Sequence, residues 1–452
     1  MNRQKNSSMD TDIDSILDLA QQTVQTAKKS GADEVEIFTV TGRSVQLDIQ
    51  KDKIDLAKES YVLGFGIKAV ISGAIGFSST NSLLGIHDAA MNAVRSAGVR
   101  DSDPDWSGLP QASRYPTVEG IFDPEIDDID IDTCIDLSML MIDGADSIKK
   151  ASPISGKFSC SSFSYLILNS SGVEVKEDST RIDVILECRA GENRELSTGF
   201  EFGISRNLDI DFYHIGQEAA REAVASVGGS RIETGEMDVL LKPNAVTDLL
   251  ENTICYSLSA ENIQKGRSAL IGKLGSKISV KELDIIDNGL LKNGIGSSRS
   301  DDEGTPSKNN CILENGILKT YLYDTYTAGK DGVESTGNAA RDNYAQTTSI
   351  DVRNLMIKYP ASDVVSEIKK GVIVGSVIGA HTANPISGDF SVEARNSFLV
   401  ENGEITKPVK SMMISGNMFE LLQNINGAGR DVRVMGNIIL PTLRVAGLKV
   451  IG

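Results

Sequence analysis

Residues 238–252, DVLLKPNAVTDLLEN, join a short apolar strand to an amphipathic helix through a proline. Junctions of this form leave free backbone N–H groups at the helix start and often carry catalytic side chains. This one presents Lys242, Pro243, Asn244 and Thr247, with no histidine, cysteine or glutamate at its mouth. Three readings stand side by side: an active site, a site that has been emptied, or a turn. The helix itself packs on a core, because Val246, Leu249, Leu250, Ile254 and Leu258 share one face. Pro243 suits its first position, where no intrahelical N–H is needed. An anion at the helix start is a weaker reading without a glycine-rich loop.

Other reactive residues are scattered. HTANPISGDFS brings His381, Ser387 and Asp389 together in sequence, yet no Gly-x-Ser-x-Gly elbow accompanies them, and triads are assembled in space. Cys311 has no basic neighbour in sequence and is expected to be a buried thiol. His214 is expected in the first turn of a helix, at the surface or in packing. The acidic run DPEIDDIDID lacks the spacing and central glycine of a calcium loop, which leaves a solvated helix start. STGNAARDNYAQ, residues 335–346, is a loop of small and polar residues; Thr336, Asn338, Arg341 and Tyr344 are its candidates for ligand contact, against the alternative of a plain surface loop.

The elements that must position these residues follow from periodicity. Residues 13–29 place Ile13, Ile16, Leu17, Ala20, Val24 and Ala27 on one helical stripe, with Thr11 and Asp14 resembling a capping box. EVEIFTV, SVQLDIQ and YVLGFGIKAVISGAIGFSS alternate as separate strands with turn residues between them. A helix near 83–97 closes this unit. Prolines 104, 110, 116 and 124 and the single tryptophan, Trp106, mark an extended connection. A second α+β unit follows, with Cys160 and Cys188 as half-buried packing residues and a helix near 213–227. From 236 onward, CILENGILKTYL and SFLVENGEITKPV each place Asn-Gly between apolar alternations, the signature of a type I′ hairpin. The expected division is a flexible N-terminus (1–12), an N-terminal α+β domain (13–98), a Pro-rich linker (99–124), a central α+β domain (125–232) and a mainly β C-terminal domain (233–452).

Composition limits the partners. The chain of 452 residues carries a formal net charge of −18 and shows no basic cluster, which disfavours nucleic acid. Five dispersed cysteines without a CxxC argue against a disulfide framework and a thiolate zinc site. No apolar run approaches a membrane span, and the polar N-terminus has no h-region, so a cytoplasmic location is expected.

Longer blocks carry a resemblance. ADEVEIFTVTGRSVQLDIQKDKI, DDEGTPSKNNCILENGILKTYLYDTYTAGKDGVESTGNAAR, NPISGDFSVEARNSFLVENGEITKPVKSMMISGN and LPTLRVAGLKVIG resemble the TldD/PmbA family, once named modulators of DNA gyrase, in the right order over nearly the whole chain. The resemblance implies an α+β fold with antiparallel sheets and helices in the N-terminal part, and peptidase chemistry on short or unfolded peptides. In the TldD branch, His-Glu-x-x-x-His follows the strand that corresponds to DVLL, and a cysteine ligand lies near the C-terminus. Here those motif positions fall on Lys242, Pro243 and Thr247, and GRDVRVMGNIILPTL has no cysteine. A lysine cation, a proline and a threonine hydroxyl replace two imidazoles and a carboxylate, so no zinc ligand carries over. The chain is therefore similar to the PmbA (TldE) branch, which implies a non-catalytic subunit with no cofactor of its own and zinc in a TldD-like partner. The alternatives are a self-sufficient homodimer that binds peptides and a protein that acts on DNA gyrase.

Overall fold

A six-stranded antiparallel sheet organises the first half of the chain in the computed structural model, which describes residues 13–192 and 195–452. The expected flexible N-terminus (1–12), with Thr11 of the capping box, lies outside the described residues. The strands are β1 (Glu34–Gln50), β2 (Lys53–Ile71), β3 (Ala74–Thr80), β4 (Ala151–Asn169), β5 (Glu174–Ala190) and β6 (Ser197–Ser205), in the order β3-β2-β1-β4-β5-β6. One sheet thus runs through both expected α+β units.

Side chains alternate across a strand, and here the two faces differ in purpose. On one face Val35, Ile37, Val45, Leu47, Leu166 and Ile182 are buried in the cores that contain α1 (Ile13–Lys29), α2 (Ile86–Gly98), α4 (Ile131–Asp146) and α5 (Phe212–Ala225). A short helix, α3 (Pro124–Asp128), precedes α4. Asp123 and Asp130 of the acidic run cap α3 and α4 by accepting from Glu125 and Thr133 N–H groups. The opposite face carries Phe38, Val40, Phe163, Tyr165, Glu177 and Arg181 toward the C-terminal half.

EVEIFTV and SVQLDIQ are not two strands but one, β1, and the reason is Gly42. It pairs with Val62 on one side and Phe163 on the other, and a Cβ there would collide with the Ser162 carbonyl and the Phe163 ring. The glycine that reads as a turn in sequence instead permits close approach within a continuous ladder. The proline-rich connection holds sheet and C-terminal half together. Trp106 Nε1 donates to Glu34 at 2.6 Å, and the Tyr115 hydroxyl donates to the Gly304 carbonyl at 3.0 Å.

The C-terminal half is mainly β. Strand β7 (Gly235–Leu241) runs antiparallel to Leu443–Ile451 and parallel to Lys370–Val374 inside a nine-stranded sheet. A second six-stranded sheet includes Asp284–Asn288 and Leu355–Lys358. Both Asn-Gly pairs adopt the positive φ their hairpins demand, with Asn315 and Gly316 at 50° and 76° and Asn402 and Gly403 at 52° and 81°. Cysteine placement departs from expectation in both directions. Cys160 and Cys188 are fully buried, whereas Cys311 is exposed. A register shift beside Cys311 lets Ile312 and Leu313, consecutive in sequence, both point into the core, which turns the thiol outward.

Candidate functional site

Lys242 is the extended residue between β7 and α6 (Pro243–Leu250); its N–H donates to the Val374 carbonyl at 3.0 Å. Helix α6 buries Ala245, Val246, Leu249 and Leu250 in the C-terminal core, which fixes its start rigidly. Two neutral oxygens at this start, Asn244 Oδ1 and Thr247 Oγ1, are buried without a hydrogen-bond partner. The surrounding charges belong to an internal network. Burial pushes the Glu222 carboxyl up, while Lys242 and Arg433 draw it back down, and Arg433 pairs with Glu201.

This set does not fit zinc. An ammonium repels the ion, proline offers no donor, and a threonine hydroxyl is a poor ligand beside imidazole or thiolate. Among the described residues no group of three or more His, Cys, Asp or Glu is arranged to hold a metal ion. The histidines are dispersed: His87 bonds Thr23 at 3.0 Å, while His214 and His381 are exposed. Ser387 donates to Asp389 at 2.7 Å, beside the Asn417 cap rather than a histidine.

One turn further along α6, burial alone pushes the Asp248 carboxyl up to about 6. A carboxyl whose folded pKa exceeds its unfolded value destabilises the fold in full above the folded value, progressively less below it, and not at all below the unfolded value. Asp248→Asn is therefore expected to raise the melting temperature at pH 8. The gain should shrink as pH falls through about 6 and vanish near the ordinary carboxylate range. Thermal unfolding of both proteins from pH 4 to 8 measures it.

The loop 335–346 lies across the open face of the first sheet. Thr336 is 8% exposed; its hydroxyl accepts from Tyr323 N–H at 2.7 Å and lies 3.1 Å from the Tyr323 carbonyl. Asn338 is fully buried, and its amide donates to Asp287 Oδ2 at 2.7 Å and to the Asp351 carbonyl at 2.8 Å. These two of the four loop candidates lie inside the fold and hold the loop. Arg341 and Tyr344 reach the sheet. The Arg341 guanidinium pairs with Glu36, donates to the Gln346 carbonyl at 2.8 Å and lies 5.1 Å from the centre of the Phe38 ring. Tyr344 rests on Gly64 and Gly66 of β2, where a Cβ at Gly64 would enter its ring.

Between sheet and loop is a cavity of about 570 Å³, lined by Phe38, Phe163, Tyr165, Glu177, Arg206, Asp302, Arg341, Tyr344 and Arg353 among others. Its size suits a small ligand. Burial pushes Tyr165 up to about 12 and raises Glu177 and Asp302 from their ordinary values, while neighbouring N–H groups and guanidiniums draw both carboxyls back down. Tyr165, Glu177, Arg206 and Arg353 escaped sequence reasoning. Odd-numbered positions 161–167 of β4 and 175–183 of β5 all face the cavity, but polar residues occupy both parities there, which masks the alternation.

Comparison with known proteins is consistent along the whole chain. Sequence models of the PmbA/TldA metallopeptidase match as domain 1 over residues 35–97, central domain over 124–227 and C-terminal domain over 234–452. An uncharacterized protein of Methanocaldococcus jannaschii is 31% identical over 94% of this chain and 98% of its own. The crystal structure of TldE from Thermococcus kodakarensis superposes with a TM-score of 0.90 at 25% identity, covering 96% of this chain and all of that one. A Thermotoga maritima structure described as a candidate DNA gyrase modulator superposes at 0.89 with 28% identity, over 96% and 100% of the two chains.

Proposed function

The chain belongs to the PmbA/TldD metallopeptidase family, and from that premise we propose that it is the non-catalytic, TldE-like subunit of a two-chain zinc peptidase for short or unfolded peptides. The observation that carries this reading is the start of α6, where Lys242, Pro243 and Thr247 offer neither imidazole nor carboxylate. A TldD-like partner in the cytoplasm supplies the metal chemistry. This chain contributes a wall of the peptide chamber, with Thr336 and Asn338 as positioning residues that hold Arg341 and Tyr344 over the sheet.

Hydrolysis of an unstructured fluorogenic peptide by the purified chain, by a His-Glu-x-x-x-His-bearing paralogue and by the pair tests this. Turnover is expected to need both chains and to stop with a chelator. Asn338→Ala in this chain is expected to lower turnover by the pair roughly tenfold or more, because small displacements of positioning groups are amplified in rate. Chelator-sensitive hydrolysis by this chain alone would overturn the subunit reading. Unchanged turnover with Asn338→Ala and with Arg341→Ala would remove the loop from it.

A further inference from the structure

Five carboxylates and four guanidiniums line the cavity above the first sheet. Two of the guanidiniums are already neutralised: Arg181 holds Asp183 through two bonds of 2.7 Å, and Arg341 is paired with Glu36 outside the lining. Glu177, Asp302, Asp342 and Asp351 then face only Arg206 and Arg353, an excess of two negative charges. An anionic ligand would meet net repulsion here.

The acids keep capacity to bind. Glu177 accepts from Arg299 N–H, Asp302 from Arg341 N–H and Asp351 from Val352 N–H, each at 2.7 Å. A carboxylate offers about four acceptor sites, so acceptor positions remain on each. Arg206 is engaged with the carbonyls of Thr180, Gly294, Ile295 and Ser297. Arg353 differs. Among the described residues it reaches only the Ser300 carbonyl, through Nη2 at 3.3 Å, and its Nη1 has no acceptor. A guanidinium carries five N–H donors, so Arg353 keeps donors to offer a ligand. The rings of Phe163, Tyr165 and Tyr344 add an aromatic lining.

We propose that this cavity binds the primary ammonium of a short peptide, from its α-amino end or a lysine side chain, with an adjacent peptide carbonyl accepting from Arg353. An ammonium brings three donors to acids that outnumber the cations facing them, and aromatic faces attract it further. A metal ion would satisfy the acids, but among the described residues none of the acid groups is arranged to hold one. A simple amine would leave Arg353 Nη1 without an acceptor, whereas a peptide supplies one. The assignment rests on the chain being a peptide-handling subunit and gives that subunit a binding site of its own.

Calorimetric titration of the full chain with Phe-Ala-Ala-amide, its N-acetyl form and N-acetyl-Lys-Ala-Ala-amide tests it. The free amine is expected to bind at least tenfold more tightly than its acetylated form. Binding of the lysine peptide at similar strength assigns the side-chain source, and its failure to bind assigns the α-amino end. Glu177→Gln is expected to weaken binding about tenfold. Since Glu177 also caps a backbone N–H, the exposed Asp342→Asn serves as a second variant, with an expected loss of threefold or more. Equal binding of the acetylated peptide, no binding by any peptide, or wild-type affinity in both variants would overturn the assignment. Loss of the assignment with turnover by the pair still dependent on this chain would leave the subunit reading intact. Binding without any effect on the pair would do the reverse.

Discussion

Replacing Arg341 by alanine is expected to lower the unfolding free energy by ~3–5 kcal/mol, the usual result of removing one partner from a buried ion pair. Arg341 and Glu36 side chains are each 1% exposed. Glu36 shares Lys68 with Glu303, at 3.3 and 3.4 Å, so the substitution leaves two buried carboxylates with one ammonium. The ring contact with Phe38 and the bond to the Gln346 carbonyl disappear with it. Urea unfolding should show a lower midpoint with little change in slope. Adding Glu36→Gln should restore part of the loss by removing an uncompensated charge, which simple loss of packing would not allow. Arg341→Lys should fall between, because it keeps the charge but not the planar fork.

The second large effect is expected from Gly64→Val. Tyr344 lies against Gly64 so closely that a Cβ would occupy its ring, and the Tyr344 carbonyl approaches Gly66 in the same way. Valine must push the ring and its loop away from β2, since the backbone ladder to β1 fixes Gly64 opposite Val40. Overpacking of this kind destabilises by about 1–3 kcal/mol. The displaced Tyr344 should also abolish peptide binding in the cavity and lower turnover by the pair. Combining Gly64→Val with Tyr344→Ala should recover most of the stability but not the binding. Strict additivity of the two substitutions would contradict the contact, because only residues that touch show coupling. Thermal unfolding and calorimetry on the four proteins complete the cycle.

Local chemistry made much of this protein legible in one dimension. The helical stripe of 13–29, both Asn-Gly hairpins and the proline that opens α6 appear where periodicity and φ preference require them. The poor ligand chemistry of Lys242, Pro243 and Thr247 is equally readable, because side-chain type alone decides whether a group can ligate a metal or move a proton. What sequence could not decide was which neighbour each residue meets. Gly42 reads as a turn and serves a continuous strand, and Cys311 reads as core and faces solvent. Thr336 and Asn338 read as ligand contacts and are buried supports. The cavity is the clearest case. Glu177 of β5, Arg353 near the C-terminal sheet and Tyr344 on its loop are remote in sequence, and only packing of the loop on the first sheet makes them one site. Propensity and chemistry act over a few residues, so sequence fixes them directly. Proximity and desolvation across distant segments exist only once the chain has folded.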